Sequence, residues 1–350
     1  MPPQLLREVP LAPLTSFGTG GNAQHFAPID SVANLVEGLN FAESAKLPWW
    51  LLGGGSNVLI ADAGLPGVVL QWRNREIAVL RRTNDLTFVK VAAGTHWEEF
   101  VQWSVNQGLH GIECLSGIPG QVGAAPIQNI GAYGQEVAQT IDAVNVLVLE
   151  SRAEIRLTNV QCEFSYRDSG FKRQPQHQIV TSVEFALLNH GLPCTTYAQV
   201  RERANAAAPS LANVREIVLQ LRREKSMLLD PSDPNSRSAG SFFTNPVVDA
   251  AFAQAVLESA APTAPIWPAG DGRVKLSAAW LIENSGMAKG YGQGTVGLSA
   301  NHTLAIVNRG GATTREILAF AAHVSERVKA TFGVQLQREP VYLRSALDIR

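Results

Sequence analysis

The stretch from Ser116 to Gly134 constrains this chain more than any other. Its 19 residues include five glycines, two prolines and three alanines, with Ser116 a further small residue. The run has neither helical nor strand periodicity. It also lacks the Ser, Glu and Lys that solvate a flexible linker. Small residues let a backbone approach a large flat object. Glycines further allow peptide N–H groups to turn toward an anion. The run therefore reads as a backbone cradle for a bulky, phosphate-bearing cofactor. A buried, tightly turned loop without a ligand is the alternative.

A second glycine cluster, Gly53-Gly54-Gly55-Ser56, lies between two predicted strands, Trp49–Leu52 and Asn57–Ile60. A dinucleotide fingerprint of the Rossmann kind would lead from strand to helix here, and a phosphate loop would continue into Gly-Lys-Ser/Thr. Neither does. What remains is a strand–turn–strand nest able to hold a pyrophosphate, or a plain hairpin turn.

Of the 350 residues, 45% are hydrophobic, enough for two or three domains with cores of their own. Lys and Arg (29) balance Asp and Glu (30), so the basic excess of a nucleic-acid binder is missing. Cys114, Cys162 and Cys194 are odd in number and widely spaced, which disfavours a disulfide framework and fits a reducing cytoplasm. Met1–Glu8 lacks the pattern of a signal peptide, and no apolar run reaches the ~18 residues of a membrane span. The histidines show no metal-binding spacing and no Gly-x-Ser-x-Gly elbow occurs, so neither a metal centre nor a serine hydrolase is expected.

Periodicity predicts helices over Val32–Ala45, behind the cap Asp30-Ser31, over Trp97–Gln107, and from about 198 to 224. Further helices are predicted near Asp249–Ala260, over Ala278–Ser285, and from the cap Thr313 to about Thr331. Alternation predicts strands at Thr87–Gly94, Ala143–Leu149, Glu154–Leu157, Ile179–Leu187, Thr303–Asn308 and Val334–Leu343. Leu229–Ser238, rich in Pro, Asp and Ser, marks a domain boundary. Between two of the strands lies Tyr166-Arg167-Asp168-Ser169, where Arg167 reads, taken alone, as a surface residue paired with Asp168.

Several motifs in one order carry a resemblance over nearly the whole chain. They are Thr15-Ser16-Phe17-Gly18, Leu52–Leu59, Ile118-Pro119-Gly120 with Pro126–Gly134, Tyr166–Ser169, Ala239-Gly240-Ser241-Phe242-Phe243-Thr244-Asn245-Pro246, and Glu339-Pro340-Val341. Together they resemble the UDP-N-acetylenolpyruvoylglucosamine reductases, the MurB flavoenzymes of peptidoglycan synthesis. The resemblance implies an α+β protein with the vanillyl-alcohol-oxidase/PCMH-like FAD-binding fold. Two FAD-binding subdomains are expected at 1–72 and 73–225, the C-terminal strand 334–350 returning to the latter. An α+β substrate-binding domain is expected at 226–333.

The activity implied is NADPH-dependent reduction of UDP-N-acetylglucosamine enolpyruvate to UDP-N-acetylmuramate through FAD. Arg167 matches the residue that stabilises the enolate, Ser241 the proton donor, and Glu339 the acid that assists the intermediate. These suit the chemistry: a developing enolate needs preorganised donors, and a positioned hydroxyl can protonate a strongly basic carbanion. FAD contacts are implied at Gly53, Gly54, Gly55, Ser56 and Asn57. The cradle adds Ser116, Gly117, Ile118, Pro119, Gly120 and Gly123, then Asn129, Gly131, Ala132 and Tyr133. Tyr197, Lys225 and Asn245 match substrate contacts, Tyr197 on a lid. Gln121–Ala125 and Thr196-Tyr197-Ala198-Gln199 depart from the family pattern. A cytoplasmic monomer is expected, with no nucleic-acid, membrane or metal partner. Another flavin oxidoreductase of the same superfamily and a non-catalytic flavin- or nucleotide-binding module are the rival readings.

Overall fold

Ser31 accepts a hydrogen bond from the Asn34 N–H and so starts the helix Val32–Ser44, whose Leu35, Leu39 and Ala42 face inward. They pack on Val68, Leu70 and Trp72 of a four-stranded sheet, ordered Leu6–Pro10, Asn22–Ile29, Leu65–Trp72, Trp49–Leu52. Gly38 allows this close packing: a Cβ there would meet Leu70 Cδ2 at 2.7 Å. The computed structural model describes residues 4–204, 209–260 and 264–345. By their contacts these fall into two units. One is drawn from Met1–Val9, Ala23–Gly55 and Pro66–Arg223, the other from Pro10–Asn22, Ser56–Leu65 and Glu224–Arg350.

The first unit holds a second sheet of five antiparallel strands. Their order is Glu154–Thr158, Ile141–Val148, Gln178–Leu188, Leu86–Ala92, Ile77–Arg82. The helix Trp97–Asn106 lays Trp97, Phe100 and Val101 against it, with the Phe100 and Phe185 rings 4.6 Å apart. Each such buried side chain stabilises by roughly 1.5–3 kcal/mol. The stretch expected to be helical from 198 to 224 holds two helices, Ala198–Ala204 and Leu211–Glu224; 205–208 lie outside the described residues. The second helix buries Val214, Ile217, Val218 and Leu221 beside Cys114, Tyr133 and Val200.

In the second unit the helix Thr314–Phe332 begins with a capping box between Thr313 and Glu316 and ends at Gly333, whose φ of 70° a glycine adopts without strain. Its Ile317, Val324 and Val328 share a core with Phe17, Phe242, Leu281 and Ile306. An antiparallel sheet ordered Val247–Asp249, Arg273–Leu276, Ile266–Pro268 and the hairpin of Val296–Leu298 with Ile306–Asn308 complete it.

The C-terminal stretch departs from expectation. Among its described residues, up to 345, only Val341–Leu343 is a strand, and it pairs in parallel with Val58–Ile60 rather than with a strand of 73–225. Val334 and Leu336 are buried in the second unit's core, which holds the segment there. Among the strands that went unread in the sequence are two of the first sheet, Asn22–Ile29 and Leu65–Trp72. Each carries a proline, and Leu65–Trp72 is buried on both faces apart from Pro66, so alternation is lost.

Candidate active site

The turn Gly53–Asn57 leaves the strand Trp49–Leu52 and enters Val58–Ile60. These two strands do not pair with each other: the first lies parallel to Leu65–Trp72, the second parallel to Val341–Leu343. The turn is therefore no hairpin. Gly55 has a φ of 65°, and a Cβ on Gly54 would fall 2.9 Å from the Gly120 Cα. The two glycine clusters thus meet backbone to backbone. Gln121 sits at the meeting point, where a Cβ on Gly53 would lie 3.3 Å from its Oε1. Its Nε2 donates to the Trp72 carbonyl at 3.1 Å, while the buried Oε1 has no partner among the described residues.

Much of the Ser116–Gly134 run spends its polar atoms on its own shape. The buried Ser116 hydroxyl donates to the Glu113 carbonyl at 2.6 Å. The Gly117 N–H donates to the Glu98 carboxylate at 2.5 Å, and Glu98 is also paired with Arg215 of the helix Leu211–Glu224. The Gly120 carbonyl accepts from the Trp97 N–H, and the Gly123 N–H donates to the Ala93 carbonyl at 2.9 Å. Ile118 packs against the core beneath, beside Pro119. Asn129 is buried, donates from its amide to Glu136 and the Ser165 carbonyl, and accepts from the Ala138 N–H. Its side chain is therefore a structural tie. Gly131 and Ala132 pair with Gln135 and Glu136 in a tight hairpin, around Tyr133 with its left-handed φ of 48°.

Arg167 is not the partner of Asp168; that carboxylate pairs with Arg173. Instead Arg167 occupies the tip of a turn closed between Ser165 and Asp168, at a left-handed φ of 54°. Its guanidinium donates to the Gly131 carbonyl at 2.5 Å and to the Asn129 carbonyl at 3.2 Å. A planar fork spanning two carbonyls is fixed in direction. Tyr197 lies nearby in the same unit, edge-on to Tyr133 with centroids 5.3 Å apart and 40% exposed. Arg222, buried at the end of the helix Leu211–Glu224, adds a positive charge close enough to feel Tyr133 and Glu98.

Ser241 and Glu339 belong to the second unit, and the fold brings their segments together. The Glu339 N–H donates to the Phe242 carbonyl at 2.9 Å, and Phe243 bridges to Arg338. Ser241 is half-buried, and among the described residues nothing bonds to its hydroxyl. Asn245 reaches the first turn of the helix Ala278–Asn284, its Oδ1 accepting from the Ala278 N–H at 2.9 Å. Lys225, half-buried, lies close enough to His302 to oppose its protonation, as does Lys289. Burial is the larger cause, and together they hold the imidazole at about 4. His302 Nδ1 accepts from the Leu304 N–H at 3.0 Å, which the neutral ring alone can do.

The residues fit FAD on two observations: a backbone-to-backbone approach of two glycine turns that no side chain tolerates, and a buried orphan acceptor, Gln121 Oε1, at their junction. Gln121 and Arg222 were missed in the sequence. The only signal for Gln121 was a long polar side chain within a run of small ones.

Residues 231–343 match the family model described as UDP-N-acetylenolpyruvoylglucosamine reductase, C-terminal domain, and residues 23–151 match an FAD binding domain. A UDP-N-acetylenolpyruvoylglucosamine reductase from Thermobifida fusca is 44% identical over 347 residues, covering 96% of this chain and 97% of the relative. Those from Streptomyces coelicolor and Chromobacterium violaceum are 44% and 40% identical, covering 99% and 97% of this chain and 92% and 99% of the relatives. The crystal structure of the reductase from Thermus caldophilus superposes with a TM-score of 0.66 at 25% identity, covering 98% of this chain and all of that one.

Proposed function

The chain belongs to the UDP-N-acetylenolpyruvoylglucosamine reductase family, and from that premise we propose which of its residues carry the reaction. It is an FAD-dependent oxidoreductase of peptidoglycan synthesis with the PCMH-like FAD-binding fold. It uses NADPH to reduce UDP-N-acetylglucosamine enolpyruvate to UDP-N-acetylmuramate. Bound FAD supplies hydride chemistry between NADPH and the vinyl carbon remote from the substrate carboxylate. In our reading Gly53–Asn57 and the Gly117–Tyr133 stretch hold FAD, with Gly54 and Gly120 admitting close backbone approach and Gln121 accepting from a cofactor N–H or O–H.

Hydride arriving at the vinyl carbon leaves negative charge on its neighbour, delocalised into the carboxylate. Arg167, aimed by the Asn129 and Gly131 carbonyls, stabilises that charge before it develops, so no reorganisation is needed. Ser241 gives its proton to the carbanionic carbon. The hydroxyl is a weak acid in water, but its target is a strong base. Glu339 assists the intermediate from the neighbouring segment. The observation that carries this assignment is the bond from the Glu339 N–H to the Phe242 carbonyl, which ties the proton donor's segment to the acid's. Tyr197, Lys225 and Asn245 bind the sugar nucleotide, Lys225 by its charge toward the diphosphate.

Residues 1–72 and 73–225 serve as the two FAD-binding subdomains and 226–333 as the substrate-binding domain. The enzyme works as a cytoplasmic monomer, a setting that suits its three free thiols; among the described residues no helix is long and apolar enough to cross a membrane. NADPH oxidation by the purified holoprotein, followed with and without UDP-N-acetylglucosamine enolpyruvate, tests the reading. Oxidation that depends on the enolpyruvyl compound supports it, and oxidation indifferent to that compound contradicts it.

A further inference from the structure

Two of the three cysteines are neighbours in space, and the reaction uses neither. The Cys114 thiol donates to the Cys194 carbonyl oxygen at 3.2 Å, so the two cysteines are in contact. Both backbones are anchored. The Cys114 N–H donates to Gln135 Oε1 at 2.7 Å, and the Cys194 N–H donates at 2.8 Å to the carboxylate of Glu113, the residue beside Cys114. Cys114 is buried and Cys194 partly exposed. We propose that Cys114 and Cys194 are a reversible disulfide site, which ties the Tyr197 segment to the start of the glycine-rich loop.

The arrangement sets the roles of the two sulfurs. The neighbouring Cys114 thiol pulls the Cys194 thiol down to about 6 against the effect of its burial, with help from the Thr196 hydroxyl at 3.3 Å. The same proximity to Cys194, and burial after it, push Cys114 up. The thiolate, which is the nucleophile, is thus the solvent-reachable sulfur. Hydrogen peroxide suffices as oxidant. The Cys194 thiolate attacks one peroxide oxygen, the O–O bond breaks, and after protonation a sulfenic acid and water result. The Cys114 sulfur, losing its proton, then attacks the Cys194 sulfur and expels a second water. Two thiols and one peroxide become one disulfide and two waters. A dithiol reductant returns both thiols by exchange. Cys162, raised to about 12 by burial, is a poor nucleophile and takes no part.

The consequence follows from where the segment rests. A Cβ on Gly134 would fall 2.2 Å from Thr196 Oγ1, so 194–197 runs directly against the Tyr133–Gly134 turn. Tyr197 begins the helix Ala198–Ala204, its carbonyl accepting from the Val200 and Arg201 N–H groups. A covalent bond at Cys194 restrains this stretch. The inference does not rest on the reductase assignment.

The test treats purified holoenzyme with about one equivalent of hydrogen peroxide, then counts thiols after denaturation and maps peptides without reduction. The proposal expects thiols to fall from three to one, a mass loss of two hydrogens, and a linked peptide pair containing Cys114 and Cys194. Dithiothreitol should reverse all three, and tryptic cleavage after Arg201 and Arg203 should slow in the oxidised form. Cys194→Ser should form no link, whereas Cys162→Ser should still form it. Unchanged thiols, a link through Cys162, or a sulfinic acid at Cys194 with no link would each overturn the proposal.

Discussion

The Glu339 main-chain N–H donates to the Phe242 carbonyl at 2.9 Å, so the acid's segment is stitched to the residue that follows Ser241. The Thr244 N–H extends the contact with a bond to the Gln337 carbonyl at 3.1 Å. Phe242 itself is fully buried, edge-on to Phe17 with ring centroids 6.1 Å apart. A core side chain thus sets the position of the two segments on which Ser241 and Glu339 stand. Preorganisation of this kind comes from packing beneath a site, not from the reactive groups themselves.

Arg167 is expected to resist conservative exchange. Its fork reaches two carbonyls at once, Asn129 and Gly131, which a lysine ammonium cannot reproduce. Arg167→Lys should lower kcat by about 10²–10³, the cost of removing one preorganised donor to a developing oxyanion. The KM for NADPH should change little. Steady-state kinetics with both substrates varied checks this; a kcat within a few-fold of wild type would contradict it.

Gly54→Ala should release FAD. The new methyl would fall 2.9 Å from the Gly120 Cα, a backbone atom that cannot swing aside. Separating the two glycine turns to admit it should weaken FAD binding at least tenfold, about 1.4 kcal/mol. The flavin-to-protein absorbance ratio of the purified variant, before and after dialysis, is the measurement. A variant as yellow as wild type would show that the close approach is not needed for the cofactor.

His302 should make the fold acid-sensitive. Burial, with Lys225 and Lys289 nearby, lowers its imidazole from 6.5 to about 4. Unfolded chains take up a proton near pH 6.5 that the folded protein refuses. Stability is therefore unaffected above that pH, falls as pH drops from about 6.5 to 4, and levels off for this group below. Between pH 7.5 and 5 the loss should be about 2 kcal/mol. His302→Asn retains an acceptor for the Leu304 N–H and should flatten that slope. Urea titrations at the two pH values decide it, and an unchanged slope in the variant would count against the assignment.

Much of this was legible in the chain itself. The glycine stretches stood out because only glycine permits such approaches, and Gly54 against Gly120 bears that out. The helices Val32–Ser44 and Thr314–Phe332 announced themselves by period and by Ser31 and Thr313 as caps. Other features depend on long-range pairing that local sequence does not encode. Leu65–Trp72 is buried on both faces apart from Pro66, and so lacks a two-residue period. The sequence suggested Asp168 for Arg167, yet the fold gives Asp168 to Arg173 and turns Arg167 toward two carbonyls. Asn129 has the look of a ligand residue but spends its amide on Glu136, Ser165 and Ala138. The widely separated Cys114 and Cys194 meet only through the fold, by the bonds each makes to its surroundings.

The role of Ser241 is tested most directly by separating the two half-reactions in Ser241→Ala. The variant, loaded with FAD, is first mixed with NADPH in a stopped-flow instrument without oxygen, and then with UDP-N-acetylglucosamine enolpyruvate. The account predicts flavin bleaching by NADPH at the wild-type rate. It predicts substrate-dependent return of the oxidised spectrum, with product formed, slowed by about 10²–10⁴. Reoxidation and product formation at the wild-type rate would contradict the assignment of Ser241 as the proton donor.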